Sequence, residues 1–143
     1  MNRSLTVLLL LSATLLSCGQ QAPTIDFGKA ECAHCRMNVV DQKFGAVITT
    51  VKGRQYAFDD AACMVQFVAK GTVAEDQVAG WYVCDHAHPG KLIDATAAHY
   101  KLGSSFRSPM RGDVAAFATA AEREQAADGE PLDWPQARKR LLE

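Results

Sequence analysis

Sulfur-containing side chains are concentrated in one short segment of this 143-residue chain. Residues 32–37 read CAHCRM, which places two thiols, an imidazole and a thioether within six positions. The C-x-x-C spacing of Cys32 and Cys35 serves covalent haem attachment, dithiol exchange or metal binding in different protein classes. Haem attachment requires a histidine directly after the second cysteine, where this chain has Arg36. Haem attachment is therefore excluded, and two chemistries remain.

A thiol-disulfide oxidoreductase is the first of these alternatives. In that class the C-x-x-C opens a helix after a strand, because the helix N-terminus lowers the pKa of the attacking thiol. No strand pattern closely precedes Cys32, and no long helical pattern follows Cys35. Dithiol exchange by this cysteine pair stays open as an alternative function.

Met37 bears on the identity of a bound metal. Zinc sites use cysteine, histidine and carboxylate ligands, so a methionine adds nothing to them. Cu(I) is a soft ion that prefers thiolate and thioether sulfur. A second methionine, Met110, lies in the sequence SPMRG at residues 108–112, a turn flanked by proline and glycine in which core packing explains methionine poorly. The residues predict a Cu(I) site with Cys35 as thiolate ligand and both methionines as thioether ligands.

Further candidate ligands lie elsewhere in the chain. Cys32 is a candidate second thiolate. Cys84, His86 and His88 alternate, so they face one side of an extended strand, and His88 or His86 is a candidate nitrogen ligand of the copper site. The same spacing arises in an exposed strand end, so a structural role also stays open. A zinc-stabilised lipoprotein that uses Cys32, Cys35, Cys84 and a histidine is the third function left open, and zinc is the expected kind of second metal beside copper.

Two residues have several interpretations at this stage. Cys63 falls in the first turn of a predicted helix. It is a packed thiol, a thiol activated by the helix end, or the disulfide partner of Cys84, and the sequence does not choose among these. His34 lies between two candidate ligands, and we expect its side chain to point to solvent.

Composition limits the range of functions. The chain has 15 basic and 16 acidic residues and a formal net charge of -1, so it lacks the basic excess that nucleic-acid binding requires. Its hydrophobic fraction of 48% is typical of one globular domain, and nothing indicates more than a monomer. The odd count of five cysteines leaves at least one sulfur outside any intramolecular disulfide.

The N-terminus predicts an exported lipoprotein. Residues 1–17 combine a positive start with an apolar run of about 12 residues, well short of the roughly 20 that span a bilayer, so they predict a signal peptide. The sequence LLSC ends in Cys18 and matches a lipobox, so residues 18–30 are expected to be a lipidated flexible tether. Gly19 favours the outer membrane and leaves the inner membrane open. Because the periplasm oxidises free thiols, the remaining cysteines should be disulfide-bonded or bound to metal.

Hydrophobic patterning predicts an α+β fold for residues 31–143. Its halves are approximately residues 31–85 and 91–143, and the second repeats the outline of the first weakly. Together they predict two small β-β-α-β-like repeats in one compact domain with a C-terminal helix. The predicted strands are residues 45–51, 54–58, 81–84, 99–102 and 114–118; the predicted helices lie between Asp60 and Gly71, at 119–128, and from the cap Asp133 through Leu142.

These motifs, in this order, resemble the NosL family of copper-binding lipoproteins that accompany nitrous oxide reductase. The resemblance covers roughly Cys32 to Trp134. The matching elements are the lipobox at Cys18, C-x-x-C-x-M at 32–37, YAFD at 56–59 with Met64, DA at 94–95, AHY at 98–100, SPM at 108–110 and AF at 116–117.

The resemblance implies a non-enzymatic Cu(I) chaperone on the periplasmic side of the membrane. It implies delivery of copper, through a membrane-bound partner complex, for maturation of the copper centres of nitrous oxide reductase. Cys35 and Met37 match the family's Cys-x-Met element, and Met110 matches the methionine of its S-P-M loop. Between that cysteine and methionine the family usually has glycine, whereas this chain has Arg36.

Overall fold

The computed structural model describes residues 22–143, so the expected signal peptide and the expected lipidation site at Cys18 lie outside the described part. Among residues 22–143, no helix is both long enough and apolar enough to cross a membrane. The elements are β1 (Ala46–Thr50), β2 (Gln55–Phe58), α1 (Ala61–Ala69), a 3₁₀ turn (Glu75–Gln77), β3 (Val78–Cys84), β4 (Leu92–Asp94), β5 (His99–Leu102), β6 (Val114–Phe117), α2 (Ala120–Gln125), β7 (Glu130–Leu132) and α3 (Trp134–Leu142).

Strands β1 to β4 form an antiparallel sheet in the order β2-β1-β3-β4. All five residues of β1 are buried, which accounts for its run of apolar and β-branched side chains. The β1–β2 turn contains Gly53 at φ 81°, a left-handed conformation that glycine adopts without strain. The predicted hairpin and third strand are confirmed, although β3 begins at Val78, before the predicted residue 81.

Strands β5 to β7 form a second antiparallel sheet in the order β6-β5-β7. In each sheet the first strand of the repeat is central and pairs with both the second strand and the strand after the helix. The two β-β-α-β repeats therefore share one topology. Strands β4 and β7 were not predicted, because each has only three residues and is defined by pairing rather than by a sequence pattern.

Side-chain caps fix where the helices begin. Asp60 caps α1 by accepting a hydrogen bond from the Cys63 amide. Thr119 and Asp133 cap α2 and α3 in complete capping boxes, each with a glutamate or glutamine three residues later. Helix α2 ends at Gln125, short of the predicted residue 128, because the backbone is already extended at the next residue.

The packed domain begins at about Ile25, within the segment that the sequence assigns to the tether. Ile25 and Phe27 pack against the main core. Gly28 N donates to Val39 O, and Val39 N donates to Ala30 O, both at 2.8 Å. These contacts hold residues 25–30 against Val39, in the segment that precedes β1.

An aromatic cluster joins the two sheets to α3. The Trp134 ring, at the start of α3, lies 5.6 Å from the Trp81 ring on β3 and 5.8 Å from the Tyr100 ring on β5. Trp134 and Tyr100 are both buried. Aromatic pairs at such separations add to the stabilisation from buried area, so α3 holds the two repeats together.

Replacing Trp134 with alanine should lower the free energy of unfolding by about 3–5 kcal/mol, because it leaves a large cavity where both sheets meet α3. Urea unfolding of the metal-free protein measures this change. Leu142→Ala, at an exposed position on the same helix, should change stability by less than about 0.5 kcal/mol. Equal losses in the two variants would contradict a joining role for Trp134.

Candidate metal centre

Residues 31–38 form a tight loop that we call the knuckle. An isolated β-bridge joins Glu31 to Asn38 at its base. Inside the knuckle, Cys32 N donates to Met37 O at 2.8 Å. The knuckle is therefore closed by backbone hydrogen bonds, which hold its two cysteines at a fixed separation.

Arg36 lies between Cys35 and Met37 in the knuckle and has an unusual backbone conformation. Its φ of 68° is left-handed, a conformation that favours glycine. This explains how glycine suits the same position in the family that the sequence resembles. The Arg36 guanidinium lies 2.7 Å from Glu31 Oε1, and its side chain is largely exposed, so its charge is paired with a carboxylate on the knuckle surface.

The knuckle is attached to the first repeat beside the start of α1. Ala33 N donates to Ala57 O, on β2, at 2.9 Å. This places Cys32 and Cys35 next to Cys63, the third residue of α1. The three cysteine Sγ atoms all lie within 4.8 Å of one another. Cys32 and Cys63 are buried and Cys35 is partly exposed, so the sulfur triad has one side open to solvent.

Protons are shared unequally within the triad. The Cys63 thiol donates to the Cys32 sulfur, and this lowers the pKa of Cys32 in spite of burial. The Cys35 amide adds a hydrogen bond to the same sulfur at 3.4 Å. The pKa of Cys63 is raised because its proton is held in the bond to Cys32 and because it is buried. Burial also raises the pKa of Cys35.

The hydrogen bonds to the Cys32 sulfur therefore favour a thiolate there over the other two sulfurs when no metal is bound. The N-terminus of α1 carries a partial positive charge that favours a thiolate nearby. A metal that binds all three sulfurs must displace the protons of Cys35 and Cys63, so binding releases protons. This arrangement suits a soft cation.

Asp60 connects the triad to the Met110 loop. Its Oδ1 accepts from Cys63 N at 3.0 Å, and its Oδ2 accepts from Met110 N at 2.8 Å. Met110 thus lies beside the N-terminus of α1, with its side chain 41% exposed. Met37, in the knuckle, is 60% exposed. Both methionines lie on segments that adjoin the triad, and both are accessible from solvent.

His88 lies in a second group of side chains that could hold a metal ion, formed with Asp85 and Glu122. Its Nδ1 is 2.8 Å from Asp85 Oδ2 and 3.6 Å from Glu122 Oε1. Asp85 follows β3 and Glu122 lies on α2, so the group joins the two repeats. His88 is therefore grouped with carboxylates and not with the cysteines.

The alternating residues Cys84, His86 and His88 have separate surroundings. His86 lies among the rings of Phe44, Phe106 and Phe117, at centroid distances of 5.2–5.5 Å. Cys84 is buried, and burial raises its pKa to about 12. Each of the four described cysteines is a free thiol, so Cys63 is a member of the triad and not a disulfide partner.

Cys63 is the member of the triad that sequence reasoning did not select as a ligand. Its place in the first turn of a capped helix was visible in the sequence, but its distance from the knuckle was not. The hydrogen bond from Ala33 N to Ala57 O is one of the contacts that bring the two segments together. A helix cap three residues before a cysteine is a local signal that pointed to it.

A second acidic residue lies beside the triad. Asp59 is buried, and its Oδ1 has no hydrogen-bond partner among the described residues. Burial, aided by repulsion from Asp60, Cys32 and Asp41, raises the pKa of Asp59 to about 6. The folded protein therefore holds this proton more tightly than the unfolded chain does.

Removing the negative charge of Asp59 should stabilise the metal-free protein, by an amount that depends on the pH. Because the folded pKa lies above the ordinary value of 3.8, stability falls as the pH rises from about 4 through 6. Asp59→Asn should therefore raise the free energy of unfolding at pH 7.5 by on the order of 1–3 kcal/mol and change it little at pH 4. Urea unfolding at both pH values tests this. The exposed Asp128→Asn should show no such pH dependence; an equal gain at both pH values for Asp59→Asn would contradict a charge effect.

Comparison with known proteins assigns the chain to a family. The sequence profile of the NosL family matches residues 25–129. The fold is similar to the crystal structure of the copper chaperone NosL from Shewanella denitrificans, with a TM-score of 0.65, 21% identity, and coverage of 82% of this chain and 95% of that one. No curated protein matches. The match over residues 25–129 shows that this chain belongs to the NosL family.

Proposed function

We propose that this protein is a Cu(I) carrier that delivers the ion without catalysing a reaction. The observation that supports this proposal is the triad of cysteine sulfur atoms, which lie within 4.8 Å of one another and have one side open to solvent. Cu(I) accepts few ligands and prefers sulfur, so a small, partly exposed group of thiols suits it. Membership of a family with a copper chaperone of similar fold supports the same ion.

The ligands have separate roles in this proposal. Cys35 is the accessible thiolate that first binds the ion. Cys32, whose pKa is lowered by hydrogen bonds from the Cys63 thiol and from backbone amides, is the second sulfur ligand. Met37 and Met110 lie on the exposed side, where their thioethers bind copper without deprotonation and shield it from water. His88 is not a copper ligand in this proposal. It belongs to the separate group with Asp85 and Glu122, which we propose as a site for a second metal such as zinc.

Release by ligand exchange follows from the exposure of these sulfurs. A partner with better sulfur ligands replaces the methionines first and Cys35 next, while the copper stays monovalent. No electron is transferred in the exchange. Each thiolate that the ion leaves takes up a proton according to its pKa, so release reverses the proton loss on binding.

The destination of the copper is inferred from the family. We propose maturation of the copper centres of nitrous oxide reductase, through a membrane-bound partner complex on the periplasmic side of the membrane. Lipidation at Cys18 provides the anchor, with the outer membrane favoured and the inner membrane open. The protein acts as a monomer in this proposal and does not bind nucleic acid.

The two rival functions receive less support from the geometry. A zinc-stabilised structural site would use Cys84, which lies apart from the triad. A dithiol oxidoreductase would place its C-x-x-C at the start of a helix, whereas Cys32 and Cys35 lie in a knuckle closed by a β-bridge. The helix that begins beside the triad contributes Cys63, a third thiol that dithiol exchange does not need.

Copper binding should depend on the triad and not on Cys84. The reduced protein should bind about one Cu(I), and Cys35→Ser should weaken binding by at least tenfold, because it removes a thiolate. Competition with a chromophoric Cu(I) chelator under anaerobic conditions measures this affinity. Cys84→Ala is the matched control and should retain it. Unchanged copper binding in Cys35→Ser would refute the assignment.

The methionines should distinguish copper from zinc. Met110→Leu and Met37→Leu preserve side-chain size and remove only the thioether, so each should weaken Cu(I) binding and leave Zn²⁺ binding unchanged. Parallel titrations with both ions test this. The buried Met64→Leu controls for a general effect of losing sulfur. No loss for copper would favour the zinc-stabilised alternative, and equal losses for the two ions would contradict thioether ligation by pointing to a general structural effect.

A further inference from the structure

Asp60 makes hydrogen bonds to two segments that carry candidate copper ligands. It is 2% exposed, and its carboxylate accepts from the amides of Cys63 and Met110, which lie 47 positions apart in the chain. Cys63 belongs to the first repeat, and Met110 lies in the loop between β5 and β6 of the second repeat. One buried carboxylate therefore links the sulfur triad to the S-P-M loop.

Helix capping alone does not account for this arrangement. A cap needs one acceptor oxygen for the third amide of the helix, and serine or asparagine provides it as well as aspartate. In α2 and α3, the backbone amide of the capping residue donates to the side chain of Glu122 or Gln136 in the same helix. In α1 the third residue is Cys63, which cannot complete a capping box. The second oxygen of Asp60 is instead directed to Met110.

The loop that carries Met110 depends on such outside support. Arg107, Arg111 and Asp113 all have left-handed φ values, between 51° and 62°. Each such residue costs on the order of 1–3 kcal/mol unless its surroundings hold it in place. Ser108 and Asp113 bond to each other in both directions, from Ser108 N to Asp113 Oδ1 and from Asp113 N to Ser108 Oγ. These bonds close the loop on itself, and Asp60 attaches it to α1.

On the basis of the proposed copper function, we infer that Asp60 is a positioning residue that holds the Met110 thioether at the sulfur triad. It does not touch the copper ion. Its two hydrogen bonds fix the backbone of Met110 relative to Cys63, so the thioether is in place before copper arrives. Preorganisation of this kind raises affinity because the ordering of the loop does not have to accompany binding.

The key variant is Asp60→Ser in the full chain. Serine retains one oxygen to cap α1 at Cys63 but has no second oxygen to accept from Met110 N. We expect Cu(I) affinity to fall by about tenfold or more, measured by anaerobic chelator competition. Asp133→Ser makes the same change at the cap of α3, whose described side-chain hydrogen bonds are made with Gln136, and should leave the affinity unchanged.

A double-mutant cycle separates positioning of Met110 from a general structural effect. If Asp60 acts through the thioether, Asp60→Ser should weaken copper binding in the wild-type background and have little further effect in the Met110→Leu background. An equal loss in both backgrounds would overturn the inference. Sulfur coordination counted by X-ray absorption should decrease by one in Asp60→Ser and remain complete in Asp133→Ser.

Amide hydrogen exchange in the metal-free protein tests the positioning without relying on copper. Asp60→Ser should accelerate exchange at Met110 while Cys63 stays protected; unchanged exchange at Met110 would overturn the inference. If that variant does not fold, Asp60→Asn retains the size of the side chain and one acceptor, and the same criteria apply to it. Accelerated exchange together with a wild-type protein that binds no Cu(I) would refute the proposed function and leave the hydrogen-bond link intact.

Discussion

The contact between the knuckle and the end of β2 is the constraint on which the candidate site depends. The hydrogen bond from Ala33 N to Ala57 O fixes a loop near the start of the domain against the strand that leads into α1. Helix α1 begins at Ala61, three residues after the end of β2, and so Cys63 lies beside Cys32 and Cys35. This contact helps to hold the C-x-x-C loop and the thiol on α1 together as one group of three sulfurs.

The electrostatics of this place favour binding of a cation. Asp59 and Asp60 are both buried beside the triad, and burial raises the pKa of each carboxyl group. Cys32 adds a sulfur whose pKa is lowered by the Cys63 thiol and by backbone amides. Negative groups that are buried close together repel each other, and a bound monovalent cation reduces that repulsion. The electrostatics of the metal-free site therefore favour a bound cation.

The two repeats share a topology but contribute differently to the site. In the first repeat, β1 and β2 are joined by the short turn at residues 51–54, and the chemistry lies on the knuckle and α1. In the second repeat, the corresponding strands β5 and β6 are joined by the longer loop at residues 103–113, which carries Met110. Two copies of one fold thus allow residues distant in sequence to meet at the start of one helix.

The sequence by itself determined the local features of this protein. The period-2 and period-3.6 patterns indicated most strands and the helices, Asp60 and Asp133 marked helix starts, and the knuckle residues stood out by their types and spacing. The shortest strands, β4 and β7, left no such pattern. Tertiary structure alone decided that Cys63 joins the triad, that His88 lies with Asp85 and Glu122, and that Cys84 stays apart. The physical reason is that these groupings depend on hydrogen bonds and packing between segments distant in the chain, such as Asp60 with Met110, and local sequence patterns carry no record of such contacts.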